Sequence, residues 1–166
     1  MKLAAAVAAL FAAAHAAPAP AANATDGGFI LAPNSDTLTY TPGPSSAARS
    51  LTERAINDCD NSSFENQSTG GSPTVGDCQR LANNIAGDGT WTVWTGTQHQ
   101  IAQYGTCAFG ITTVTGFWAN IGNGDVRDII GDSIRRFQWN GLVGAKGEMN
   151  CQGSGSPHVK WAIYHT

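Results

Sequence analysis

Apolar residues recur at helical spacing in two parts of the chain. A first helix is predicted to begin at Ser72-Pro73, because serine caps free backbone N–H groups and proline suits the first turn. Its apolar face holds Val75, Cys78, Leu81, Ala82 and Ile85. A second helix, capped by Asn123 or Asp125, carries an apolar stripe of Val126, Ile129, Ile130, Ile134 and Phe137. Gly131 inside it is predicted to mark a close approach to a sheet.

Alternation and β-branched or aromatic residues predict strands in the remaining sequence. The predicted strands cover residues 91–95, 106–114, 117–121, 142–151 and 158–166. The last is the clearest, since Val159, Trp161 and Ile163 alternate with more polar neighbours. The order of elements predicts an α+β fold. We expect a small disulfide-bonded α/β sandwich, with two helices packed on one face of an antiparallel sheet.

The first 56 residues differ in pattern from the rest. Residues 1–16 are predicted to be a secretory signal peptide, with an apolar run after Lys2 and a small-x-small cleavage sequence at Ala14-His15-Ala16. That run is shorter than the about 20 residues that span a bilayer. Residues 17–56 are rich in proline and glycine, and we expect a flexible linker or pro-segment with one short strand near residues 37–41. The ordered domain is predicted at residues 57–166.

Charged residues make up 13% of the chain, against roughly 25% in ordinary globular proteins. The formal net charge is −3 at pH 7. This mild acidity gives no electrostatic reason to bind nucleic acid or anionic lipid. We therefore expect a secreted, extracellular monomer whose polar surface consists largely of hydroxyl and amide groups.

Four cysteines follow the predicted signal: Cys59, Cys78, Cys107 and Cys151. An even number of thiols in an oxidising compartment indicates two disulfides. Three pairings are possible and spacing does not choose among them. We favour Cys59–Cys107 with Cys78–Cys151, which would tie the leading loop and the first helix to two strands.

Asparagine sequons predict that the secreted protein is a glycoprotein. The acceptor sites are Asn23, Asn61 and Asn66. Two of them, Asn61 and Asn66, lie between the first two cysteines, so that segment is predicted to be a surface loop.

No arrangement of titratable residues predicts catalysis. The acids Asp125, Asp128 and Asp132 are better explained by helix capping, the helix dipole and ion pairs with Arg135 or Arg136 than by paired catalytic carboxylates. The histidines His99, His158 and His165 are dispersed and lack metal-ligand spacing. The sequence therefore predicts no catalytic residue, no metal site and no cofactor. We expect no enzyme, with a secreted hydrolase as the less favoured alternative, because site residues can lie far apart in sequence.

Tryptophan offers a different chemistry, because flat rings stack on sugars. Alternation places Trp91 and Trp161 in the core, whereas Trp94, Trp118 and Trp139 lie close to turns. These three are candidates for surface binding of a glycan.

Four segments together resemble the fungal necrosis-inducing-factor domain, whose members are homologues of a secreted effector of a leaf-mould fungus. They are residues 104–110 (YGTCAFG), 121–137 (IGNGDVRDIIGDSIRRF), 144–151 (GAKGEMNC) and 161–166 (WAIYHT). The resemblance covers about residues 57–166, including all four cysteines. It implies a killer-toxin-like fold and disulfide-forming cysteines, and it supplies no catalytic residue.

The resemblance also implies a function, that of an apoplastic virulence effector that induces or promotes death of host plant cells without enzymatic activity. Its partner would be a host cell-surface or membrane protein. One alternative is a secreted module that binds chitin or another wall glycan, because some relatives are fused to chitinase modules. Another is an antimicrobial, killer-toxin-like protein directed against competing fungi.

Overall fold

A computed structural model of the chain describes residues 28–43, 56–85 and 87–166. The predicted signal peptide and the Asn23 sequon lie outside these residues. The elements in chain order are β1 (Ile30–Leu31), β2 (Leu38–Pro42), β3 (Glu65–Asn66), α1 (Val75–Asn84), β4 (Gly89–Trp94), β5 (His99–Tyr104), β6 (Cys107–Thr113), β7 (Trp118–Gly122), α2 (Asn123–Phe137), β8 (Ala145–Asn150), β9 (Gln152–Gly153) and β10 (His158–His165). Neither helix is long and apolar enough to cross a membrane.

The described strands form two antiparallel sheets. The six-stranded sheet has the order β1-β5-β6-β10-β8-β3, and the four-stranded sheet has the order β2-β4-β7-β9. The α+β, disulfide-bonded class is thus confirmed, but its strands divide between two sheets where one was expected. Alternation reports which face of a strand is buried and not which strand is its neighbour, so β6 and β7 could be consecutive and still belong to different sheets.

Each helix covers a different sheet. The helix α1 packs against β5 and β6, α2 packs against β4 and β7, and the two helices contact each other. The side chains between these layers form the core, including the fully buried Trp91, Phe109, Ile111, Ile121 and Ile130. Trp161 is buried too, with its ring stacked 6.1 Å from that of Phe109. Trp91 and Trp161 therefore occupy the core, as alternation predicted.

The helix starts differ in detail from the prediction. The cap of α1 is Thr74, whose hydroxyl accepts a 3.2 Å hydrogen bond from the backbone N–H of Asp77. Ser72 lies two residues earlier and its hydroxyl accepts instead from the backbone N–H of Thr69. The N-cap of α2 is Gly122, where Asn123 or Asp125 was expected, and Asp125 is the third residue of the helix. In α2, Gly131 does not approach a sheet: a Cβ added there would be nearest to Arg135, at 3.5 Å. The expectation of a close approach at Gly131 was wrong.

The disulfides are Cys59–Cys151 and Cys78–Cys107. The predicted pairing, Cys59–Cys107 with Cys78–Cys151, was therefore wrong. Packing of α1 on β5 and β6 places Cys78 over Cys107 at the start of β6. Residues 56–60, which we call the leading segment, run instead beside the β8–β9 junction. There the N–H of Gln152 donates to the carbonyl of Asp58 at 2.7 Å. Sequence spacing contains neither of these tertiary contacts.

Residues 28–43 are built into both sheets. The strand expected near residues 37–41 is β2, which pairs with β4, and β1 is a second strand, paired with β5. Leu38 is buried, and the Tyr40 ring lies 4.8 Å from that of Trp91. This part of the predicted linker therefore covers the core, upstream of the expected domain boundary at residue 57.

Candidate functional site

The outer face of the four-stranded sheet consists of side chains that alternation directs away from the core. In β4, Trp91 and Val93 are buried, whereas Thr92 is half-buried and Trp94 is exposed. In β7, Ala119 and Ile121 are buried, whereas Trp118 and Asn120 are half-buried. The same alternation therefore presents two tryptophans and several polar groups on one surface.

Four uncharged polar residues lie in line across this face. The strand register pairs Thr39 with Thr92, Thr92 with Asn120, and Asn120 with Gln152. We call Thr39, Thr92, Asn120 and Gln152 the polar row. The Thr92 hydroxyl donates a 2.9 Å hydrogen bond to Oδ1 of Asn120, which orients that amide. The row therefore crosses all four strands with hydroxyl and amide groups only.

Two tryptophans lie beside the polar row, on the same face of the sheet and two residues away from it along their strands. Trp94 and Trp118 are directly opposite each other on β4 and β7, and we call them the Trp pair. Side chains in that relation have Cβ atoms about 5 Å apart. The exposed fraction of Trp94 is 43%. Phe117, exposed over 74% of its surface, precedes Trp118 at the same end of the sheet.

Trp139 belongs to a different surface. It lies on the turn after α2, is 53% exposed, and lines a shallow cavity of about 430 Å³ with Asn66 and Phe137. The structure therefore brings together two of the three predicted surface tryptophans and separates the third.

The strands around the Trp pair contribute no charge, but carboxylates border the face that they form. Residues 38–42, 89–98, 112–122 and 152–157 contain no charged side chain. Asp58 accepts a 2.9 Å hydrogen bond from the hydroxyl of Thr90, and Asp58 and Asp60 line a cavity with Gln152. Asp36 precedes Thr37, whose carbonyl accepts a 3.0 Å hydrogen bond from the N–H of Trp94. Such a surface can stack flat rings and exchange hydrogen bonds with hydroxyls, but it offers no cation for a phosphate or a carboxylate.

A groove of about 940 Å³ lies between α2 and the leading segment, lined by the acids Asp60, Asp125, Asp128 and Asp132. Asp125 accepts hydrogen bonds from the backbone N–H groups of Asp58 at 2.7 Å and Gly122 at 2.9 Å. Burial raises the pKa of Asp125 to about 6, although these donors act in the opposite direction. The Asp125 carboxylate is therefore hydrogen-bonded to the backbone of two segments, at Asp58 and at the start of α2.

The other groove acids have surface roles. Asp132 forms ion pairs with Arg135 and Arg136, and the Arg136 guanidinium lies 4.4 Å from the centre of the Phe64 ring. Asp128 is exposed. These contacts support the interpretation of the acids as capping and ion-pairing groups over that of two facing catalytic carboxylates.

The histidines do not converge on one site. His158 and His165 lie at opposite ends of β10, and Nε2 of His158 is 3.0 Å from a Glu148 oxygen. His99 is on β5. Hydrogen bonds from His158 and Lys160 lower the pKa of Glu148. Within residues 28–43, 56–85 and 87–166, no cluster of three or more potential metal-ligating side chains occurs.

Comparison with known proteins identifies the family. Residues 58–151 match the model of the Hce2 family, described as "Pathogen effector; putative necrosis-inducing factor". The chain belongs to the Hce2 family. The resemblance noted from the four sequence motifs is thereby confirmed, and the matched region contains all four cysteines.

Two relatives of this Hce2 protein come from Penicillium expansum. The chain is 41% identical over 116 residues to "Probable chitinase LysM18", which covers 67% of this chain and 8% of the relative. It is 34% identical over 110 residues to "Secreted chitinase LysM12", covering 62% of this chain and 7% of the relative. The chain thus spans less than a tenth of the length of either.

The polar row extends past the matched Hce2 region at both ends. Thr39 precedes residue 58 and Gln152 follows residue 151. Sequence reasoning missed the whole row, because its members are ordinary polar residues until the strand register aligns them. The available signal was the absence of charge in the strand segments, together with alternating threonines in residues 38–42 and 89–94.

The sequons at Asn61 and Asn66 are both on exposed residues. Asn61 lines the groove, and Asn66 belongs to β3 at the edge of the six-stranded sheet. Both positions are accessible to a glycan, and glycosylation at each stays a prediction.

Proposed function

We propose that this Hce2 protein is a secreted, non-enzymatic effector that promotes the death of host plant cells from outside the cell. Membership of a family described as pathogen effectors is the observation that carries the proposal. The expected partner is a host cell-surface or membrane protein. The two disulfides support an extracellular location, because such bonds persist in oxidising compartments.

The hydrogen bonds and ion pairs of the groove acids support a non-enzymatic mode of action. Asp125 is occupied by backbone donors and Asp132 by two arginines. The relatives are named as chitinases, but the aligned region is 8% and 7% of their lengths. We propose that the named activity belongs to the remainder of those chains.

Ion leakage from infiltrated leaves tests the proposal. Purified, oxidised protein would be compared with a sample that has been reduced and alkylated. We expect leakage from the oxidised sample only, because loss of two native disulfides from a small domain removes several kcal/mol of stability, at about 2–5 kcal/mol each. Absence of leakage over a wide dose range and several plant species would reject the proposal and favour glycan binding or antifungal activity.

Glycan binding is a second candidate function, favoured by two observations. The Trp pair lies on strands that carry no charged side chain around it, and both relatives are named as chitinases, enzymes whose substrate is chitin. We propose that the domain contributes to attachment to chitin or a similar wall glycan. Sedimentation with insoluble chitin is the direct test, and protein that stays in the supernatant would reject this second function.

A further inference from the structure

We propose that the Trp pair and the polar row form one binding site for an extended, uncharged chain of N-acetylated sugars. This inference rests on the second proposed function and assigns it to particular residues. The site comprises Trp94 and Trp118 together with Thr39, Thr92, Asn120 and Gln152. The ligand lies across the strands of the four-stranded sheet.

Stacking on the Trp pair accounts for the ligand's orientation. Opposite residues on neighbouring strands have Cβ atoms about 5 Å apart, which is close to the length of one sugar unit in an extended chain. Trp94 and Trp118 occupy such positions on β4 and β7. Two successive sugars can therefore lie over the two indoles, with the chain running perpendicular to the strands. The C–H groups on the flat face of each sugar meet the negative face of the ring.

The polar row runs in the same direction as the Trp pair. It is displaced by two residues along each strand, a distance of about 7 Å. A sugar chain stacked on the Trp pair therefore turns one edge, with its hydroxyl and acetamido groups, toward Thr92 and Asn120. The hydrogen bond between these two side chains fixes the amide before a ligand arrives, which lowers the ordering cost of binding.

The charge of the surface selects the class of ligand. The four segments that form the face, residues 38–42, 89–98, 112–122 and 152–157, contain no lysine, arginine, aspartate or glutamate, and the charges that border it, Asp36, Asp58 and Asp60, are all negative. An anionic polysaccharide, a phosphate or a nucleic acid would lose hydration there without gaining an ion pair. A neutral sugar loses no charge hydration, and the amides of Asn120 and Gln152 can both donate to and accept from its acetamido groups.

Binding to chitin hexasaccharide and to insoluble chitin tests this site in the full secreted protein. We expect Trp94→Ala to weaken the affinity about tenfold, which corresponds to about 1.4 kcal/mol, because the substitution removes one of the two rings on which the sugars stack. Trp94→Phe should retain most of the binding, because a ring remains. The matched control is Trp139→Ala, which removes a tryptophan of similar exposure, 53% against 43% for Trp94, from another surface and should bind as the wild type does.

A second substitution keeps the test independent of packing. Trp118 is half-buried, so its removal could disturb the fold, whereas Thr39 is exposed at the end of the polar row. Thr39→Asp adds a charge to a strand that has none on this face and should also weaken binding, with an unchanged melting temperature.

The outcomes separate the site from the function. If Trp94→Ala and Thr39→Asp both bind chitin with the affinity of the wild type, this site is overturned, whereas the glycan-binding function is not. Failure of the wild type to bind either form of chitin would overturn both. Binding to polygalacturonate or to phosphatidylcholine vesicles in place of chitin would overturn the ligand class, and none of these results bears on leaf ion leakage.

Discussion

The side chain of Asp125, the third residue of α2, joins the start of this helix to a distant segment. Its carboxylate accepts from the N–H of Gly122, at the start of α2, and from the N–H of Asp58, which is 67 residues away in the chain. Burial dominates its ionisation and raises its pKa to about 6 from the ordinary value of 3.8. The folded protein therefore retains this proton at pH values where the unfolded chain has released it.

The raised pKa of Asp125 predicts a pH dependence of stability. Because the folded pKa is above the unfolded one, the contribution of Asp125 is largest below pH 3.8 and is lost as the pH rises to about 6. We expect this loss to be about 1–2 kcal/mol, after allowance for solvent screening at the open groove. Asp125→Asn cannot titrate, so the difference in free energy of unfolding between wild type and variant should shrink by that amount from pH 4 to pH 7.

Urea denaturation at the two pH values measures that difference. Asp128→Asn, at an exposed acid of the same groove, is the control and should preserve the wild-type profile. Hydrogen bonds from Thr106 lower the pKa of Asp77, which acts in the opposite direction, but this residue is present in all three proteins and cancels. An Asp125→Asn profile parallel to that of the wild type would contradict the prediction.

The long helices and strands with a regular apolar repeat could be predicted from the sequence. The periodic stripes of α1 and α2 and the alternation in β10 depend only on local sequence. The two-residue strands β1, β3 and β9 were not predictable, because a strand that short is defined by its partner. The candidate site shows the same limit: the sequence placed Trp94 and Trp118 near turns, but only the pairing of β4 with β7 sets them side by side.

The start and the middle of α2 make opposite demands on glycine. Gly131→Ala should raise the free energy of unfolding by about 0.5–1 kcal/mol, because alanine favours the helix and the new Cβ meets Arg135 only at ordinary contact distance. Gly124→Ala should lower it by about 2 kcal/mol or more, since its Cβ would lie 2.8 Å from the backbone carbonyl oxygen of Ile56 as well as against the Asn57 side chain. Urea denaturation of both variants decides, and effects of the same sign would refute the packing described here.

For the whole molecule, the two disulfides differ in accessibility. Cys78, on the inner face of α1, and Cys107 are fully buried, whereas Cys59 is half-buried beside the open groove. We expect a mild reductant to open Cys59–Cys151 first, because thiol exchange requires access to a sulfur. Alkylation followed by peptide mass analysis should detect labelled Cys59 and Cys151 before the other two. Simultaneous labelling of all four cysteines in the folded protein would contradict this order, and unfolded protein supplies the fully labelled reference.

Both disulfides join residues within 59–151, so neither encloses the segment that carries β1 and β2. Residues 28–43 are held to the sheets by backbone pairing and by contacts such as that of Tyr40 with Trp91. After cleavage between residues 43 and 56 they would form a separate peptide, bound in trans as an added edge strand. The same segment could be exchanged between two copies of the chain. One member of the polar row, Thr39, would then come from the other molecule, and the sugar-facing surface would be a shared one.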